Sequence, residues 1–406
     1  MKESEPKQYE IIENGVCAPG GFQASGVACG VKKTGLKDMA IIRSDNAAKG
    51  AALYTSNRFQ AAPIHITREH LLDGKAQAVV VNSGNANACT GANGLDDARK
   101  MTRLAAEATR TNEIDVMVAS TGVIGTYLPM DRIHAGISDA AEQLSTGGSS
   151  AAAEAILTTD TFRKEWAIAG EVGGKRFSVG GMAKGAGMIR PDLATMLAFV
   201  TTDAQVDPET LLASLTRAVN ASFNMISVDG CMSTNDMVLA MANGASGASI
   251  TDEEAAKQFT GALTAVCREL ARMIVRDAEG ATKFVTVNVR GGADFREAKA
   301  AAMAIADSNL VKTAIFGQDP NWGRVAAALG TAGIAFNPER VEIYLGAHLL
   351  VADGEPIAAD ETELARYMKE ADLEIRVNLN RGPEKATVWT SDLSYDYVRI
   401  NADYRS

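Results

Sequence analysis

A threonine hydroxyl is a weak nucleophile and works only beside a base. The segment KGAGMIRPDLATMLAFVTTD, Lys184 to Asp203, places Ala194-Thr195 where a glycine-rich turn meets a buried apolar strand. No histidine lies near Thr195 in sequence, and read alone Thr195 is an ordinary strand threonine. Other chemistries lack their signatures. The five cysteines, Cys17, Cys29, Cys89, Cys231 and Cys267, are odd in number and never spaced CxxC. Reduced thiols are therefore the default, with neither a disulfide framework nor a cysteine zinc site. His65, His70, His134 and His348 form no HExxH motif, so no metal is expected. GxSxG and GxxxxGK[ST] are absent. Gly180–Gly187 superficially has the look of a phosphate loop, but Lys184 precedes Gly185, and locally the segment reads as a tight turn. The Asn-rich stretch 82–94 suits a loop of Asx turns, and Asp319-Pro320-Asn321-Trp322-Gly323-Arg324 a packing corner.

The elements that must position these residues belong to an ordinary globular chain of 406 residues, 46% hydrophobic and 22% charged. A net charge of -10, 5% aromatic content and no block of like charge argue against a nucleic-acid partner. The charged start MKESEPKQYEIIENG is not a secretory signal, and no run of 18 apolar residues could span a membrane. A soluble, cytoplasmic protein is expected.

Met39–Arg43, Ala78–Val81, Asp115–Ser120 and Ala194–Thr201 read as strands. Asp96–Arg110 reads as an amphipathic helix with Asp96 and Asp97 at its positive end, and Ser138 as a helix cap before a further helix through Ala151–Leu157. Asp207-Pro208-Glu209 starts a helix, and Thr251-Asp252-Glu253-Glu254 is a capping box. The helix after that box puts Phe259, Leu263, Val266, Leu270 and Ile274 on one face. Val285, Val287 and Val289 alternate as in a strand. Asp294–Asp307 follows as a helix and Leu310–Phe316 as a strand. Val341–Leu345 and His348–Val351 can pair through Gly346, and Leu373–Leu379 and Thr387–Trp389 complete the pattern. Tyr397–Ser406 is polar without helical period. The mixture predicts a layered α+β sandwich, with a main lobe over about 1–290 and a smaller α/β lobe over 291–406.

The segment around Ala194-Thr195 resembles, nearly residue for residue, the self-cleavage site of the ArgJ family, the ornithine acetyltransferases or glutamate N-acetyltransferases. Similar stretches run in order along the chain: Ala18–Phe22, Thr55–Asn57, Asn82–Gly91, Ser120–Gly125, Thr158–Thr161, Ser233–Asp236, Gly280–Phe284, Asp319–Arg324 and Tyr397–Tyr404. The resemblance implies the ArgJ and DmpA-like self-processing sandwich. It implies cleavage between Ala194 and Thr195, giving an α chain of 1–194 and a β chain of 195–406, assembled as an α2β2 heterotetramer. Departures are Cys231 in place of a usual acidic residue, Arg190 before Pro191, Asp277-Ala278 before Glu279, and Ser406 as the last residue.

The chemistry agrees with that implication. In the intact chain the nitrogen of Thr195 is an amide and accepts no proton. Cleavage turns it into an α-amine with an ordinary pKa of about 7.7–8.0, on the same residue as the nucleophile. The small Ala194 leaves room for the hydroxyl to attack the preceding carbonyl. By resemblance Thr195 is nucleophile and base, Thr121 and Gly122 form the oxyanion hole, and Thr158, Lys184, Thr195, Glu279, Asn401 and Ser406 bind substrate. Lys184 can pair a carboxylate and Glu279 the side-chain ammonium of ornithine. Asn401 and Ser406 require the tail to fold back over the site. The implied reaction moves acetyl from N2-acetyl-L-ornithine to L-glutamate by a ping-pong route through acetyl-Thr195, within arginine biosynthesis. No cofactor is implied, and acetyl-CoA is an optional co-substrate. An aminopeptidase or amidase of the related fold, and a metabolite-binding protein that never cleaves, are the alternatives.

Overall fold

The computed structural model describes residues 9–32, 35–190 and 196–403. Among them, nine strands form one sheet: β1 (Glu10–Ile12), β2 (Phe22–Val27), β3 (Met39–Tyr54), β4 (Lys75–Asn85), β5 (Val116–Val123), β6 (Lys164–Val172), β7 (Lys175–Lys184), β8 (Leu197–Thr202) and β9 (Met237–Ala242). The order is β1-β6-β7-β8-β9-β3-β4-β5, with β2 also on β3. Its helices are α1 (Ala62–His70), α2 (Gly91–Thr109), α3 (Met130–Glu142), α4 (Ser149–Ala155), α5 (Pro208–Asn220) and α6 (Glu253–Arg276).

β3 makes the sheet into a sandwich. Its first half pairs with β2 and β4 and its second half with β9, across a register shift between Arg43 and Ala48. The two halves of the sheet face one another. Ile42, Val79, Val81 and Met117 from one half meet Met182, Phe199, Leu239 and Met241 from the other in a shared core. Alternation sends the neighbouring residues outward. Ile41, Val80 and Val118 pack under α2 and α3, while Val179, Val200, Val238 and Ala240 pack under α5 and α6. The result is four layers, helix–sheet–sheet–helix, and the expected layered α+β class holds. On α6 the stripe Phe259, Leu263, Val266, Leu270 and Ile274 is buried as its spacing predicts. Each such side chain stabilises by about 1.5–3 kcal/mol.

A second sheet begins at Phe284. It contains β10 (Phe284–Gly292), β11 (Glu342–Leu345), β12 (His348–Ala352), β13 (Glu355–Pro356), β14 (Asp372–Asn378) and β15 (Glu384–Ser391) in the order β13-β12-β11-β14-β10-β15. α7 (Phe295–Ala306), α8 (Asn309–Phe316), α9 (Trp322–Gly330) and α10 (Glu361–Tyr367) accompany it, and α11 (Tyr395–Asp403) follows. Trp389 packs against the cores beside both sheets, and its carbonyl accepts the Ser227 N–H at 3.0 Å.

Several local readings need correction. Leu310–Phe316 is not a strand but most of α8. The Ser308 hydroxyl caps it at 3.3 Å from the Val311 N–H, and Val311 and Ile315, four apart, face the core. Residues 397–403 of the polar tail are helical, within α11; that helix buries none of its side chains, so it has no apolar stripe to read. Ser138 is no cap: it lies inside α3 and bonds back to the His134 carbonyl at 3.2 Å. The α6 cap is Asp252, one residue beyond the expected Thr251, accepting the Ala255 N–H at 2.8 Å. α2 starts at Gly91, ahead of the predicted Asp96, so Asp96 and Asp97 fall outside its first turn. Residues 82–85 extend β4 rather than opening a loop. Gly180 and Gly181 lie within β7, not in a turn. A Cβ on Gly180 would meet the Gly15 carbonyl oxygen at 1.9 Å, so the glycine there serves close packing. Asn321 caps α9, which makes the expected corner a helix start.

Candidate active site

Parallel β4 and β5 end side by side, with Gly84 opposite Gly122. Gly122 has φ +133°, and a Cβ there would lie 2.3 Å from the Gly84 carbonyl carbon. Only glycine fits that approach. Asparagine side chains hold the end of this ladder. Asn82 accepts the Ser120 hydroxyl at 2.6 Å and donates to the Asn85 carbonyl at 2.9 Å. Buried Asn235 donates to the carbonyls of Ala86 at 2.6 Å and Ser120 at 2.8 Å. The backbone at Thr121-Gly122 is thereby fixed from two sides. An oxyanion hole needs such rigidity, because its donors must not reorganise as charge develops.

Lys184 ends β7 and is 3% exposed. Its Nζ donates to the Thr158 hydroxyl at 2.7 Å and stands 3.9 Å from Asp160 Oδ2. Thr158 follows α4, and its N–H donates to Asp160 at 3.0 Å. Burial would raise the Asp160 carboxyl, but the Lys184 and Lys164 ammonium groups outweigh it and hold the carboxyl below the usual carboxylate range. Burial lowers the Lys184 pKa, the Asp160 charge opposing that effect. Lys32 also carries its charge close to this group. Burial first, and Lys184 repulsion with it, bring Lys32 down to about 8 against the attraction of Asp38.

Glu279 follows α6, half-buried, and its N–H donates to the Ala186 carbonyl at 3.0 Å. Its carboxylate lies over Gly187, where a Cβ would come within 2.4 Å of it. Asn401 on α11 donates to Glu279 Oε2 at 2.7 Å. Further along the same helix, the Tyr397 hydroxyl donates to Asp229 at 3.1 Å. The described part of the tail reaches back to Asp229 and Glu279 through Tyr397 and Asn401, held by polar contacts rather than an apolar face.

One cavity brings these positions together. Thr121, Gly122, Thr158, Lys184, Glu279 and Asn401 all line it. Ala194, Thr195 and Ser406 lie outside the described residues. Both flanks of the 191–195 segment are fastened beside the cavity. Asp229 accepts the N–H groups of Met188 at 2.6 Å and Ile189 at 3.0 Å, and Asp236 accepts that of Met196 at 2.8 Å. Ser233, Thr234 and Asn235 also line the cavity, although sequence reasoning gave them no role. The Ser-Thr-Asn-Asp run was their only signal. A larger cleft, of about 720 Å³ between Lys49, Gln205, Asp207 and Glu253, holds none of the expected site residues. Among the described residues no group of three or more His, Cys, Asp or Glu is arranged to hold a metal ion.

A layered α+β scaffold thus carries one cavity lined by a tightly held glycine, a buried lysine and a half-buried glutamate. The ArgJ family model matches residues 23–406, and the chain belongs to that family. It is 50% identical over 401 residues to the arginine biosynthesis bifunctional protein ArgJ of Symbiobacterium thermophilum, covering 98% of this chain and 100% of the relative. The protein of the same description from Geobacter sulfurreducens is 49% identical over 389 residues, covering 95% and 99%. Among solved structures, the Bacillus halodurans protein of that description is 46% identical, covering 45% of this chain and 97% of that one at TM-score 0.43. The Mycobacterium tuberculosis ornithine acetyltransferase complexed with ornithine is 39% identical, covering 45% and 98% at TM-score 0.43.

Proposed function

We propose that the protein cleaves itself between Ala194 and Thr195 and then transfers acetyl from N2-acetyl-L-ornithine to L-glutamate, in arginine biosynthesis. The observation that carries the reading is the convergence of six expected residues, from five separate stretches of chain, on one cavity. In cleavage, the Thr195 hydroxyl attacks the Ala194 carbonyl and the peptide nitrogen leaves as the α-amine. Water then hydrolyses the ester, freeing the Ala194 carboxylate and the Thr195 hydroxyl.

In turnover, the Thr195 hydroxyl passes its proton to its own α-amine and attacks the acetyl carbon of the donor. The oxyanion is held at Thr121 and Gly122, where one well-aimed donor is worth about 3–4 kcal/mol. The ornithine nitrogen leaves with the proton, and acetyl-Thr195 remains. The amine of glutamate attacks that ester and regenerates the threonine. Lys184, steadied by Thr158, pairs with a substrate carboxylate, and Glu279, steadied by Asn401, with the side-chain ammonium. Ser406 joins the substrate contacts from the end of the tail.

Acetyl-CoA serves as a second donor in this proposal, no cofactor takes part, and the α and β chains assemble as α2β2 in the cytoplasm. No helix among the described residues is long and apolar enough to cross a membrane. The test is ornithine release from acetylornithine by the purified protein, with and without glutamate. Glutamate-dependent release with matching N-acetylglutamate supports the transfer. Equal release without acceptor means a hydrolase, and no release from an uncleaved chain that still binds ligand means a binding protein.

A further inference from the structure

Behind Lys184 and Glu279 lies a group of buried charges that the proposed chemistry does not use. Lys164, at the start of β6, is 0% exposed. Its ammonium donates to Asp160 Oδ1 at 2.7 Å, Asp277 Oδ2 at 2.5 Å and the Phe162 carbonyl at 3.3 Å. An ammonium has three protons, and all three are used.

Each carboxylate fastens a different side of the cavity. Asp160 accepts the N–H of Thr158 at 3.0 Å and of Gly185 at 2.7 Å, and so holds the residue that steadies Lys184 and the residue after Lys184. Asp277 stands two residues before Glu279 and accepts both the N–H and the hydroxyl of Thr161. The bond from the Glu279 N–H to the Ala186 carbonyl, at 3.0 Å, closes the circuit. Lys164 is thus the shared tie between the strand end carrying Lys184 and the turn carrying Glu279.

Buried ion pairs return little net stability, because desolvation offsets attraction, and register is their best-attested use. On the proposed reading of Lys184 and Glu279, we infer that Lys164, through Asp160 and Asp277, is a positioning residue that fixes the separation of these two groups. It thereby sets the side-chain length of the acetyl donor, favouring an ammonium three methylenes from the α-carbon.

The experiment compares three N2-acetyl donors with two, three and four side-chain methylenes: those of 2,4-diaminobutyrate, ornithine and lysine. Wild type, Lys164→Met and the isosteric Asp277→Asn are assayed for glutamate-dependent amine release, with self-cleavage followed by mass. In both variants the preference for the ornithine donor over its homologues should fall at least ten-fold, through KM of the ornithine donor. An unchanged preference in Asp277→Asn, with all three donors reduced in proportion, would show a structural role only and overturn the inference. Should Lys164→Met fail to fold, Asp277→Asn decides alone. Wild type lacking glutamate-dependent release would remove the parent reading instead, and the inference with it.

Discussion

Glu279→Gln isolates one charge with little change of shape. In the wild type the carboxylate lies against Gly187 and accepts the Asn401 amide at 2.7 Å. A glutamine can accept the same hydrogen bond and fill the same space, so the tail should stay docked. What is lost is attraction to the donor's ammonium. Removing one partner of a desolvated charge pair typically costs about 2–5 kcal/mol. Glu279 is half-buried, so solvent screening puts the loss at the lower end, about 2 kcal/mol. At about 1.4 kcal/mol per decade this is roughly thirty-fold in kcat/KM for N2-acetyl-L-ornithine. The assay is ornithine release from cleaved enzyme, run in parallel with N2-acetyl-L-norvaline, which has the same carbon chain without the ammonium. The norvaline donor should change less than three-fold. Equal damage to both donors would refute the reasoning and put Glu279 in the chemistry or the folding.

Gly122→Ala puts a Cβ 2.3 Å from the Gly84 carbonyl carbon at φ +133°. It should lower acetyl transfer by about 100- to 1,000-fold, the usual loss for a displaced oxyanion donor, and an activity within ten-fold of wild type would contradict the assignment. Lys312, fully buried, gives a pH prediction. Its ammonium donates to the Thr390 hydroxyl at 2.8 Å and the Ser391 carbonyl at 2.5 Å, yet burial brings it down from 10.5 to about 8 against the attraction of Asp392. Between those values the unfolded chain binds more protons than the folded one, so folding stability gains with rising pH. Against Lys312→Met, the wild type should gain about 3 kcal/mol between pH 8 and 10.5, seen by denaturant unfolding, and a flat difference would contradict it.

The sandwich was legible because its central strands are short apolar runs, buried on both faces, and its long helix α6 carries a regular stripe. α8 was misread because Asn309–Phe316 is short and mostly apolar, and neither length nor period separates helix from strand there. α11 was missed because polar bonds to Asp229 and Glu279, more than a hundred residues away, hold it in place of an apolar face. The site residues came from resemblance, not from local pattern: Thr121-Gly122 at the end of β5 and Lys184 at the end of β7 carry no catalytic motif of their own. Asp160 and Lys164, four apart, would pass for a solvated pair. Their burial follows from Asp277, which the fold brings to them from the end of α6. Asn235 is similar, since its two carbonyl partners lie more than a hundred residues upstream.

The central claim is that Thr195 becomes an N-terminal nucleophile, and intact mass with N-terminal sequencing of the purified protein tests it most directly. Cleavage after Ala194 gives chains of 194 and 212 residues, about 20 and about 22 kDa. The second chain should begin Thr-Met-Leu-Ala-Phe, and Thr195→Ala should give one full-length chain. A single full-length wild-type chain, or the same two chains from Thr195→Ala, would contradict the account.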